Sequence, residues 1–522
     1  MRENVNWEME KERQELLYQL YPLIREWEGE MPNLRDIFRT EEIDWLLVEN
    51  EKCHCNISID DRSLLIRFVI GTGYKDEPDI DENGKPLLRR PTAVHRAARL
   101  RNSATVRELF KIYHRFDVNY TDELGFSHFH VACMFGLDGV VERFLELGQD
   151  PDCLTQESSP VDPPLHLTLR HERKETFELL LRRGADPNST DAEGSTPLHV
   201  VCRYECYRDL ATILFEIGDD EHHRVVRVDV RNKLGNTPLH HALSRGRRDL
   251  VELLLRRGAD RNIANAEGST PLHVVCSRSY LDEFAEMIFD VGDGKDRPVL
   301  VDPVDKSGRT PLKLAVTNHF PHLVDVLLDR GADLSNFVFP TEAFIHTYSH
   351  HEHLYYNSEA VFNALKVLCC LEKRRYKLNQ SDKLLIMKTL AMDGLLDNEP
   401  WDYEKWISDD YLAKLSKKLK INPKLSFYDF IRLPLAKAEK LLMIQDYDEF
   451  KSGLPSLPLK CYRQCVTHLC ETAIGGFYRR WALDFFLTLT RYQLPILCCE
   501  IIIGQLRMKD VWGICLAATG QN

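Results

Sequence analysis

The chain has 522 residues, 43% apolar and 29% charged, a balance that suits a folded protein too long for one ordinary core. Its 68 Lys and Arg against 81 Asp and Glu leave a net charge of −13, which argues against broad phosphate-driven binding of nucleic acid. The N-terminus lacks the apolar core of a signal peptide and no run of roughly 18 apolar residues spans a membrane, so the 15 scattered cysteines read as reduced thiols of a cytoplasmic or nuclear protein.

Residues 1–61 are expected to form an N-terminal helical cap. Leu16, Leu17, Leu20, Leu23 and Ile24 recur at helical spacing, and Trp7, Trp27 and Trp45 add large apolar surface. A helix beginning at Arg62 ends near Gly71, and Pro78, Gly84 and Pro86 break the polar stretch that follows. Gly71-Thr-Gly73 lacks the third glycine and the preceding strand of a dinucleotide fingerprint, so it carries no cofactor expectation.

From residue 92 an internal repeat dominates. Asp191 to Cys202 returns at Asn265 to Cys276 with 11 of 12 residues identical, an offset of 265 − 191 = 74. Glu178 to Asp186 returns as Glu252 to Asp260. The landmark residues His95, His130, His166, His199, His240, His273 and Lys313 lie 35, 36, 33, 41, 33 and 40 apart, a basic period of 33 with insertions at 219–226 and 291–297. Each unit reads as helix–turn–helix plus a finger. Thr196 is an N-cap, Pro197 occupies N1, and Gly184, after Leu-Leu-Leu-Arg-Arg, supplies a left-handed helix end.

These units resemble ankyrin repeats, with Thr-Pro-Leu-His at 196–199, 237–240 and 270–273 and degenerate forms at Thr92–His95 and Ser127–His130. The resemblance covers about residues 62–335, seven to eight repeats. It implies an all-α ankyrin solenoid in which Thr and His make structural hydrogen bonds. One histidine per repeat also leaves each too far from the next to complete a metal coordination sphere.

The signature stops after Asp333. Residues 336–424 read as a helical connector. His346, His350, His351 and His353 form its densest cluster, either a metal site, which needs a carboxylate or thiolate partner, or a polar surface. Cys461, Cys465, His468 and Cys470 fall in an apolar helical stripe and read as core. Residues 425–522 are expected to form a helical domain. Its stretch Leu494-Pro495 with Ile502, Leu506, Asp510 and Val511 resembles the opening of an F-box, with Leu497 where an acidic residue is usual. Only 29 residues run from Leu494 to Asn522, so the segment looks like the PRANC domain of poxviral and parasitoid-wasp ankyrin proteins.

No Walker A loop, His-Glu-x-x-His, Gly-x-Ser-x-Gly or kinase signature is present, and neither an enzyme nor a cofactor is expected. The expected function is a binding adaptor. Finger residues Asp191, Glu193, Asn232, Lys233, Asn265, Glu267, Lys306 and Arg309 are expected to be exposed and to contact a target protein. The resemblance implies that Leu494, Pro495, Ile502, Leu506, Asp510 and Val511 recruit a cullin-based, SCF-type ubiquitin ligase. The alternative is an ankyrin scaffold or signalling inhibitor without ligase recruitment.

Overall fold

The computed structural model describes residues 2, 5–52, 59–153, 161–204, 208–218, 225–278, 282–290, 298–346, 354–392, 408, 410–442, 446, 450, 459–506 and 508–519. The chain divides into two compact units, Met1–Ala266 and Glu267–Asn522.

In the first unit α1 (Glu10–Arg25) buries Leu16, Leu17, Tyr21 and Ile24 along one face. A single turn, α2 (Leu34–Ile37), leads to α3 (Thr40–Lys52) and α4 (Ile59–Gly71), and α1 packs over both. Helix α3 stacks on α5 (Ala93–Arg99) and α4 on α6 (Ser103–Leu109). Residues 40–71 are therefore already a helix pair of the array, and α4 runs through residues 61 and 62.

The array continues with α7 (His128–Phe135) and α8 (Asp138–Glu146), α9 (Pro164–Arg170) and α10 (Lys174–Arg182), α11 (Pro197–Arg203) and α12 (Arg208–Gly218), and α13 (Pro238–Ser244) and α14 (Arg248–Arg256). The first helices of successive pairs, from α5 to α13, stack as an inner row, and α8, α10, α12 and α14 stack as an outer row. The outer helices are the more amphipathic: α14 buries Leu250, Val251, Leu254 and Leu255 and leaves its charged face in water. Gly184 and Gly258 follow α10 and α14 at φ 90° and 82°, the left-handed conformation that ends a helix.

Between pairs the chain turns out into a finger. Asp191 Oδ1 accepts the amides of Glu193 and Ser195 at 3.0 and 2.8 Å, and Asn232 Oδ1 those of Leu234 and Asn236 at 3.0 and 3.0 Å. Adjacent fingers are joined by single backbone bonds, Lys233 N–H to Glu193 O and Ala266 N–H to Leu234 O, each 2.9 Å. The approach is close enough to require glycine. At Gly235, φ 73°, an added Cβ would lie 2.5 Å from Ala266 N. We expect Gly235→Ala to lower stability by about 2–3 kcal/mol, combining backbone strain with a clash. Gly258→Ala, where the space is open, should cost only the strain, about 1 kcal/mol. Urea unfolding of both variants separates the two effects.

The second unit holds α15 (Pro271–Cys276) and α16 (Asp282–Asp290), then α17 (Pro311–Thr317) and α18 (Pro321–Asp329), with inner and outer helices stacked as before. The stacking continues where the repeat signature stops. Helix α19 (Thr341–His346) packs on α17, and α20 (Leu354–Lys373) on α18. Here the conserved geometry is carried by other residues: His319 Nε2 bonds Phe344 O at 3.0 Å, and Thr341 Oγ1 donates to Asp382 Oδ1 at 2.5 Å, tying α19 to α21 (Gln380–Met392).

Beyond α22 (Asp410–Lys418) a small hairpin interrupts the helices, β1 (Lys420–Asn422) paired antiparallel with β2 (Leu425–Ser426). Pro423 fixes its turn and Asn422 Oδ1 accepts Lys424 N–H at 3.1 Å, a device the helical reading of this stretch missed. Two short helices, α23 (Phe427–Phe430) and α24 (Leu435–Leu441), precede the 31-residue α25 (Leu459–Leu489). Helix α25 is the axis of the C-terminal region. Helices α20, α24, α26 (Ile496–Gln505) and α27 (Met508–Thr519) all pack on it. Cys465, Leu469, Cys470, Ile474, Tyr478 and Phe485 are buried along it. Burial pushes the Cys470 thiol far above its usual range, and His468 stands edge-on to Phe430, 5.7 Å between ring centres. These are core side chains.

Candidate protein-binding site

The repeated histidines are internal struts. The Nδ1 of His199 accepts the Thr196 amide at 3.0 Å, so its proton sits on Nε2, which donates to Asn236 O of the following repeat at 3.0 Å. His166 bonds Ser195 O at 2.8 Å, and His273 bonds Arg309 O at 3.0 Å in the same way. Burial pushes His95, His130 and His166 down to about 4, so they stay neutral at physiological pH. The N-cap hydroxyl performs its ordinary role at Ser127 and Thr310, accepting His130 N–H at 3.3 Å and Lys313 N–H at 3.2 Å.

Among the predicted finger contacts, Glu193, Lys233, Glu267, Lys306 and Arg309 are exposed. Arg309 is drawn back onto Asp305 at 2.7 Å, and Asn265 is half-buried with its amide on Asn236 Oδ1 at 2.9 Å. Asp191 and Asn232 require correction. They are buried, because each turns its side chain inward to accept two finger amides that otherwise have no partner. The signal was available: an Asp or Asn three residues before a Gly recurs as Asp122 and Gly125, Asp191 and Gly194, Asn232 and Gly235, Asn265 and Gly268, and Asp305 and Gly308. The loop residues 219–224 and 291–297, the histidines His350, His351 and His353, the side chains of His346 and Cys461, and Trp401 and Trp406 lie outside the described residues.

A row of arginines that sequence reasoning passed over lines the inner face. Each ends an inner helix. Arg99 pairs with Asp122 at 2.7 Å, and Arg170 with Asp162, Asp191 and Glu193 at 3.2, 2.9 and 3.4 Å. Those three carboxylates converge closely enough to suggest a cation site, but Arg170 already supplies the positive charge. Arg203 ends α11 at the corresponding place, opposite a finger that carries Asn232 instead of an aspartate.

At the C-terminus, Leu494-Pro495 starts α26 as expected, with Pro495 at the N-cap. The helix is apolar almost all round, yet it buries only Cys499 and Ile503. Ile496, Leu497 and Ile501 are 58%, 69% and 60% exposed, and Leu494, Pro495, Ile502 and Asp510 are exposed beside them. Leu506 is half-buried and Val511 is fully buried, so Val511 belongs to the core and not to a contact surface. Arg479 of α25 fixes the pose of α26. Its Nε and Nη2 donate to the carbonyls of Ile503 and Leu506 at 3.3 and 3.0 Å, while Glu439 neutralises its third nitrogen.

Stacked helix pairs, fingers and imidazole struts together define an ankyrin-repeat fold. Residues 165–265 and 245–337 match the family described as "Ankyrin repeats (3 copies)". The chain is similar to "Transient receptor potential cation channel subfamily A member 1" of Homo sapiens, at 25% identity over 51% of this chain and 22% of that protein. It is similar to "NF-kappa-B inhibitor alpha" of Sus scrofa, at 36% identity over 19% of this chain and 31% of that one. Among solved structures, the ankyrin repeat domain of Bcl-3 aligns at 26% identity over 39% of this chain and 86% of that one, with a TM-score of 0.32. The chain thus spans less than a third of the length of these two relatives.

Proposed function

We propose that this chain is a non-enzymatic adaptor of the cytoplasm or nucleus. The repeats hold a target protein, and α26 recruits a cullin-based, SCF-type ubiquitin ligase through the subunit that binds F-boxes. The repeats support the first half, since solenoids present long surfaces that bind proteins. The observation that carries the second is the exposed apolar stripe of Leu494, Ile496, Leu497, Ile501 and Ile502. Contiguous exposed apolar surface marks interaction sites, and an amphipathic helix laid in a groove is a recurring recognition mode. The stripe sits where the Leu494-Pro495 pattern resembles a truncated F-box of the PRANC type. Asp510, exposed near the start of α27, would add a polar contact at its edge.

The test is binding of the purified F-box-binding subunit to the intact chain by interferometry. The wild type should bind, and Ile496→Asp/Leu497→Asp should weaken binding at least about tenfold with helicity unchanged, because both side chains already face water. Absence of binding by the wild type would refute ligase recruitment. The remaining reading would be an ankyrin scaffold or signalling inhibitor, which similarity to a protein named as an inhibitor of NF-kappa-B favours.

A further inference from the structure

The inner face of the first unit carries a charge pattern that neither composition nor fold explains. In the described residues, the arginine closing an inner helix is neutralised at Arg99 by Asp122 and at Arg170 by Asp191. At Arg203 the corresponding finger residue is Asn232, whose side-chain amide lies 3.3 Å from His241 Nε2. Arg203 is exposed. Arg245, which caps the next inner helix, is also exposed, and neither arginine forms an ion pair among the described residues.

Burial, with the charges of Arg203 and Arg245 adding to it, pushes the His241 imidazole down to about 4, so it stays neutral and adds only hydrogen-bonding capacity. Arg170 with its partner Asp191, Arg203, Tyr204 and His241 line one small concavity together with Ser195 and His199. Tyr204 is 45% exposed at its rim. Arginine and tyrosine at a concave centre are the residue types that dominate binding energy at protein interfaces. An arginine lacking an internal carboxylate is free to take an external one in bidentate fashion. The carboxylates of Asp162, Asp191 and Glu193 gather on Arg170, so the positive charge open to an acidic partner is that of Arg203 and Arg245.

We infer that Arg203 and Arg245, with Tyr204, form a docking point for an acidic segment of the target protein. This rests on the reading of the repeats as the target-binding surface and supplies the chemistry of that target. The uncompensated pair does the recognising, whereas Arg99, whose charge Asp122 already cancels, contributes little.

The test uses the intact chain and a fluorescein-labelled oligoglutamate peptide, read by fluorescence anisotropy. The wild type should bind, and binding should weaken as salt rises. Arg203→Gln/Arg245→Gln should lose roughly tenfold or more in affinity. Arg99→Gln should bind like the wild type. Equal binding by the Arg203→Gln/Arg245→Gln variant, or an equal loss in Arg99→Gln, would overturn the assignment. Tighter binding of oligothymidylate than of oligoglutamate would also overturn it, by making the partner a nucleic acid. All three arginine side chains face water, so unfolding is checked by the thermal midpoint. The same variants are measured against the F-box-binding subunit, which contacts α26. Unchanged binding there with no oligoglutamate binding would refute this docking point alone and leave the adaptor reading standing.

Discussion

Acidification from pH 7.5 to 5 is expected to destabilise the repeats of the first unit by several kcal/mol. The cause is a set of buried, neutral histidines. His95, His130 and His166 are held by burial at about 4, against 6.5 in the unfolded chain. The unfolded state therefore binds protons that the folded state refuses. The stability they contribute is complete above pH 6.5 and is lost as pH falls toward 4. By linkage each such histidine costs about 2 kcal/mol between pH 7.5 and 5, roughly 6 kcal/mol for the three. Asp44 works in the opposite direction. Burial raises its carboxyl to about 6, so its contribution is complete below the unfolded value of 3.8 and is lost as pH rises through about 6. At pH 5 that returns only about 1 kcal/mol, so the histidines win. Urea midpoints measured across this range should fall with pH. A flat profile between pH 7.5 and 5 would mean that the imidazoles are already protonated or solvent-accessible.

Removing Asp76 should be the most damaging single substitution near the start of the array. Asp76 is 2% exposed. Its Oδ1 accepts Arg90 Nη2 at 2.7 Å and its Oδ2 accepts the Tyr120 hydroxyl at 2.5 Å. Arg90 also bonds Asp44 at 3.1 Å and lies over the Tyr120 ring at 4.6 Å, while Tyr113 donates to Asp44 at 2.8 Å. The network joins α3, the strap at residues 76–90 and the first repeats. Asp76→Ala leaves the Tyr120 hydroxyl buried without its acceptor and takes one of two close carboxylates from Arg90, a loss of about 3–5 kcal/mol. Asp76→Asn keeps an acceptor and should cost less. Because the Asp76 charge is one of the causes that raise Asp44, its removal should also lower the pH at which Asp44 ionises. Denaturant unfolding measures the first effect, and NMR titration of Asp44 the second.

The repeats were legible because their chemistry is local. Thr196, Pro197 and His199 set a helix start within four residues, and the 74-residue copy repeats it. The stacking of α19 on α17 was not legible, since His319 and Thr341 do there what Thr-Pro-Leu-His does elsewhere, through contacts 25 and 41 residues away. The exposure of the fingers was half legible. Polarity placed Asp191 and Asn232 in water, but the unpaired amides of a tight finger draw them inward. The same aspartate position decides which inner arginine is neutralised, a pairing across 23 residues for Arg99 and 21 for Arg170 that composition cannot show. At the C-terminus, the pattern around Leu494 gave the start of α26, yet an apolar stripe reads alike whether it faces core or water. Packing of α27 on α25 puts Val511 inside, while α26, whose last carbonyls Arg479 holds, leaves Leu497 outside.

The adaptor reading is tested most directly by affinity purification of the intact chain with mass spectrometry, beside the Ile496→Asp/Leu497→Asp variant. The expected result is that the wild type retains a target protein together with SCF-type ligase subunits, and that the variant keeps the target and loses the ligase. A wild-type chain that retains its target with no ligase subunit, or a variant that retains both, would contradict it.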